Sequence, residues 1–178
     1  MNGNIDYETV INGRRPFGYD VNIVPNKRNN QALFSQEDFV SVDPNAEFIN
    51  TIRKEVKTWR ETGYPKASRI TKELLDFWFN NKERKTNLRL FFCQREAVET
   101  AVWLNEIAER DPNTGNYILN LLGERRHSVS PNDAYVLPRT AFKMATGTGK
   151  TVVMAMLILY NYLNKRANPM DTHYADHF

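Results

Sequence analysis

Apolar residues recur at helical spacing along much of the chain. Ile49, Ile52, Val56 and Trp59 fall three or four positions apart, which draws one stripe along a helix. Asp43-Pro44 offers a capping side chain and a first-turn proline before it, and Gly63 with Pro65 stops it. A second helix begins at Ser68 or Thr71, with Ile70, Leu74, Phe77 and Trp78 on one side. A third runs roughly from Gln94 to Glu109, where Ala97, Ala101, Leu104 and Ala108 form the stripe and Val98, Val102 and Trp103 widen it. The aromatic residues on these faces read as core, with ligand stacking the alternative.

The stretch from Ala141 to Leu163 follows a different pattern. Ala141–Ala145 is short and mostly apolar, as a buried strand would be. Thr146-Gly147-Thr148-Gly149 is too rich in glycine for strand or helix. Lys150–Leu163 has no Gly or Pro and reads as a helix by its length. Val152, Val153, Met154, Ala155, Met156, Leu157, Ile158, Leu159 and Tyr160 cover every side of its wheel. Such a helix is expected to be buried all round. It falls short of the roughly 20 apolar residues that span a bilayer, so other protein layers should cover it.

Elsewhere the signals are weaker. Thr9–Ile11 and Tyr19–Val24 are β-prone, with Asn12-Gly13 as a turn between them. Asp111–Gly115 reads as a loop, Tyr117–Leu122 as a short apolar piece, Gly123–Asp133 as a polar connection and Tyr135–Leu137 as a strand before Pro138. Lys82, Arg84, Lys85 and Arg89 form a small basic cluster, read as a solvated turn with a phosphate-backbone contact as the alternative. His127 has no ligand partner at metal spacing, so an exposed loop histidine is favoured.

Composition narrows the class. The 178 residues carry a net charge of +3, which permits nucleic-acid contact without arguing for it. The lone Cys93 excludes an internal disulfide and a multi-cysteine zinc site, and suits a reducing compartment. No signal-like or bilayer-length segment is seen, so the cytoplasm, with no membrane association, is the expectation.

The Thr146–Thr151 stretch carries the chemistry. A triphosphate needs backbone N–H donors close around it, and Gly147 and Gly149 let the main chain approach without a β-carbon. The following helix adds unpaired N–H groups and the positive end of its dipole. Lys150 supplies a mobile charge for the β- and γ-phosphates, and Thr151 a hydroxyl for Mg²⁺. Strand, glycine turn and helix opening at Gly-Lys-Thr is the phosphate-binding loop arrangement. The strict pattern has glycine where Met144 stands. The bland alternative is an ordinary Gly/Thr turn before a core helix.

The octapeptide Met144–Thr151, MATGTGKT, resembles motif I of superfamily-two helicases and translocases. Its form is that of the ATP-driven subunits of Type I and Type III restriction enzymes. Leu90–Leu104, LFFCQREAVETAVWL, is similar to the helix that precedes motif I in Type III restriction-like Res subunits. The resemblance covers about Leu90 to Phe178. It implies an α/β fold: the start of a RecA-like P-loop motor domain with an incomplete parallel sheet, over 89–178, after a mainly helical region at 1–88. It implies that Thr146, Gly147, Thr148, Gly149, Lys150 and Thr151 hold ATP and Mg²⁺, with Thr151 on the metal. Gln94 would take the place of the glutamine that reads adenine; the alternative is a helix-start glutamine bonded to nearby backbone. Residues 111–134 would be an insertion. The implied partners are double-stranded DNA and a methyltransferase (modification) subunit.

No DExx tetrad follows the loop, and neither the second motor domain nor a nuclease constellation is seen. The chain is therefore expected to be the ATP-binding amino-terminal fragment of a DNA-translocating restriction subunit, without appreciable turnover alone. A P-loop NTPase of another family and a truncated, non-enzymatic reading frame are the alternatives. Each large apolar side chain left wet forfeits about 1.5–3 kcal/mol, against a domain margin of about 5–15 kcal/mol. The 150–163 helix should thus make the isolated chain poorly stable.

Overall fold

The computed structural model describes residues 46–81, 83, 89–129 and 141–175. Five α-helices organise them: α1 (Ala46–Glu61), α2 (Arg69–Phe79), α3 (Phe92–Val102), α4 (Thr114–Val129) and α5 (Lys150–Ala167). The helix of α3 continues without a break through a π turn (Trp103–Ile107) and a 3₁₀ turn (Ala108–Arg110).

The helical stripes become core in part: Phe77, read as a core aromatic, is 59% exposed, and Leu75 is buried on α2 instead. Val56 and Trp59 on α1, Leu75 and Trp78 on α2 and Val98 and Val102 on α3 are all buried. α1 packs on α3, while α5 lies against both α2 and α3. α1 ends where Gly63 turns left-handed at φ +78°, which lets the Tyr64 N–H reach back to the Trp59 carbonyl at 2.9 Å. Ser68 caps α2, its hydroxyl accepting the Thr71 N–H at 2.9 Å.

The π turn has a packing consequence. Its wider loop adds a residue to one turn, so Val102 and Trp103 and then Glu106, Ile107 and Ala108 all face inward. α4 then packs tightly on the 3₁₀ turn. Asp111 accepts the N–H groups of Asn113 and Gly115, and a β-carbon placed on Gly115 would overlap the Ala108 carbonyl. Only glycine permits that approach.

The expected α/β fold is not seen. The described residues are helical and contain no strand, so the parallel sheet of a RecA-like domain is absent among them. Residues 141–145 carry no strand pairing. The carbonyls of Met144 and Ala145 are taken by Lys150 and Thr148 within the same local turn, not by a neighbouring strand. A strand needs a ladder partner for its polar backbone, and none of the described residues supplies one. The loop expected at 111–115 covers only 111–113, and where its end, a short apolar piece and a polar connection were expected, one helix runs from Thr114 to Val129. Its first turn is set by Asp111, a side-chain start signal the apolar pattern does not register. The β-prone pieces at 9–11, 19–24 and 135–137, the Asp43-Pro44 start and most of the basic cluster lie outside the described residues, as does the His127 side chain.

α5 is covered on one side only. Val153, Met156, Tyr160 and Asn164 are buried, whereas Met154 is 62% and Tyr162 45% exposed. Val152, Ile158 and Leu159 are exposed as well. The expected all-round burial is therefore not met by these residues, because α2 and α3 both lie on the same side of the helix. No helix among the described residues is long and apolar enough to cross a membrane.

Candidate phosphate-binding turn

Residues 146–149 form a bend that delivers the chain into the first turn of α5. Gly147 and Gly149 both adopt left-handed backbone, at φ +79° and +77°, a region in which glycine is unstrained. Thr148 anchors the bend through its hydroxyl, which donates to the Ala145 carbonyl at 2.7 Å. The Gly149 carbonyl already accepts the N–H groups of Val152 and Val153. The earlier N–H groups of a helix have no acceptor within it, and here they open beside exposed Thr146, Gly147, Lys150 and Thr151.

Lys150 folds back over this bend. Its ammonium donates to the carbonyls of Ala145 at 3.0 Å and Met144 at 3.2 Å. The charge thus lies over the turn, on the loop side of α5. Thr151 is exposed in the first turn of α5.

Gln94 is brought to the same place from a distant part of the chain. It is buried at the start of α3, and its side-chain amide lies so close to Gly149 that a β-carbon there would overlap Nε2. Its Oε1 accepts the Phe91 N–H at 2.8 Å, closing the first turn of α3. The oxygen is therefore engaged by backbone, as the helix-start alternative expects.

Two buried carboxylates belong to the scaffold and escape notice in the sequence. Glu99 accepts Tyr64 Oη at 2.6 Å and Arg95 Nε at 2.8 Å on one oxygen, and Arg60 Nε at 2.6 Å on the other. Arg95 also donates to Tyr64 Oη. Burial, followed by the Glu99 charge, pushes the Tyr64 hydroxyl well above its ordinary range. Glu106, inside the π turn, accepts Thr71 Oγ1 at 2.8 Å, the Ser68 N–H and Tyr160 Oη. Asn164 joins this group through Ser68 and Thr71. The available signal was spacing: Glu99 and Glu106 stand three and four residues either side of the buried Val102, on the core face of α3 and its continuation.

Neither of two open depressions borders the bend. One, of about 450 Å³, lies between Arg60, Tyr64, Lys72, Asp76 and Arg95. The other, of about 370 Å³, lies between α2 and the end of α5 at Leu74, Leu163 and Arg166. No cluster of three His, Cys, Asp or Glu able to hold a metal occurs among the described residues. Scans of the known protein families, the curated proteins and the solved structures find no match to this chain.

Proposed function

We propose that this chain binds the phosphates of ATP with Mg²⁺ at Thr146–Thr151, as a nucleotide-binding part of a DNA-acting, ATP-driven restriction subunit. One observation carries the reading. A bend with two left-handed glycines leads into an 18-residue helix, with Lys150 folded back over it. The geometry suits an anion, because the bend, the helix start and the ammonium all present positive character to one place. The Lys150 contacts to the two carbonyls would be exchanged for phosphate oxygens, and the Thr151 hydroxyl would serve the metal ion. ATP with Mg²⁺ supplies the phosphoanhydride and the charge that bridges its oxygens.

The reading rests on this bend and on the likeness of MATGTGKT to motif I, not on a motor-domain fold. The adenine contact of Gln94 requires that its oxygen leave the Phe91 N–H. The DNA and the modification subunit belong to the resemblance alone.

The test is thermal unfolding of the full chain with and without Mg-ATP, beside Lys150→Ala. A ligand-dependent rise in Tm that Lys150→Ala removes supports the proposal. The absence of any rise, or an equal rise in Lys150→Ala, overturns it.

A further inference from the structure

His173 lies between two carboxylates that approach its two ring nitrogens from different elements. Nδ1 is 2.7 Å from Asp171 on its own segment, and Nε2 is 3.0 Å from Glu109 on the 3₁₀ turn. A neutral imidazole carries one N–H and can donate to one of them only, whereas the imidazolium donates to both. The bridge is complete only when the ring is protonated. The carboxylates stand at opposite edges of the ring and so cannot close with it around one metal ion.

The bridge secures a returning segment. Residues 168–175 follow α5 and fold back on it. Asn105 Nδ2 donates to the His173 carbonyl at 2.8 Å, and the Ala175 N–H donates to Asn161 Oδ1 at 3.1 Å. Tyr174 is buried edge-on against Tyr160, with ring centres 5.6 Å apart. Its hydroxyl points into the core near Glu106 and Ser68.

The other charges around the ring are committed elsewhere. From α5, Lys165 donates to the Asp171 carbonyl. From the 3₁₀ turn, Arg110 donates to the Lys66 carbonyl and lies 3.6 Å from Glu106. Asp111 accepts the Asn113 and Gly115 N–H groups. The groups that face the imidazole itself are Asp171 and Glu109.

We propose that His173, Asp171 and Glu109 form a pH-sensitive clasp, which holds residues 168–175 against α5 and the 3₁₀ turn when the ring is protonated and lets them open as it loses its proton. Glu109 and then Asp171 raise the His173 pKa above its ordinary 6.5. A basic group whose pKa is raised in the closed state contributes fully below the open-state value, near 6.5. The contribution fades as pH climbs through the raised value. Opening would uncover Tyr174 and the Tyr160 ring beneath it.

The experiment is amide hydrogen exchange on the full chain from about pH 5.5 to about pH 8.5, corrected for intrinsic rates and read at Ala175, with Val98 in α3 as the reference. The His173 ring is titrated in parallel by NMR. The opening constant at Ala175 should rise by up to about tenfold for each pH unit separating the closed and open pKa values, while Val98 stays level. His173→Gln should flatten the profile. Glu109→Gln, at a mostly exposed position, should bring the ring's pKa back towards 6.5 if His173→Gln fails to fold. A wild-type ring titrating at or below 6.5 overturns the clasp, as does a flat Ala175 profile or one that Val98 shares.

Discussion

Gln94 and Gly149 touch across a long stretch of sequence: the side-chain amide at the start of α3 occupies the space a β-carbon on Gly149 would need. The contact ties the candidate phosphate-binding bend to the core helix. It also explains why glycine is required at 149 on two counts, a left-handed backbone at φ +77° and a filled neighbouring space. Gly149→Ala is expected to destabilise by about 1–3 kcal/mol, the usual range for a strained backbone position. In a double-mutant cycle with Gln94→Ala, part of that cost should vanish, because the steric share disappears while the backbone share remains. Urea denaturation of the four proteins measures the coupling, and strict additivity would show that the two residues do not interact.

Lys150 should decide nucleotide binding without deciding the fold. It is exposed and bonds only to the Ala145 and Met144 carbonyls of its own turn. Mg-ATP at 100 times its dissociation constant should add about 2.7 kcal/mol of stability, and Lys150→Ala should lose that gain with little change in the free protein. A chevron or equilibrium urea series with and without nucleotide reads both quantities.

Glu99 should prove one of the most sensitive positions in the chain. It is fully buried and holds Arg60, Arg95 and Tyr64 together. Glu99→Ala leaves two guanidinium groups facing each other at a partly buried site, and such losses cost about 3–5 kcal/mol. Tyr64→Phe removes one donor and should cost about 0.5–1.5 kcal/mol. Denaturation midpoints at unchanged m-values would check the order, and equal effects would refute it.

The two faces of α5 should respond unequally to truncation. Met156 is buried against the neighbouring helices, so Met156→Ala should cost about 2–5 kcal/mol. Met154, 62% exposed two residues earlier, should change stability by no more than about 0.5 kcal/mol on truncation. Replacing Met154 and Ile158 with lysine should reduce self-association, measured by sedimentation, since an exposed apolar face promotes it.

Local signals in the sequence determined the first three helices, a start of the second at Ser68 or Thr71, and a glycine bend opening onto a helix at Lys150. Each depends on residues within a few positions of one another, where spacing and backbone preference suffice. The sheet expectation failed because a strand is a property of two segments. Ala141–Ala145 has the composition of one, yet the carbonyls of Met144 and Ala145 are taken by Thr148 and Lys150 within the same turn. The tertiary structure alone decided that Gln94 meets Gly149, that Glu99 and Glu106 sit buried with partners far along the chain, and which face of α5 is covered. Those outcomes depend on which elements pack side by side, and an apolar run that reads the same on every side of a helix carries no instruction about that choice.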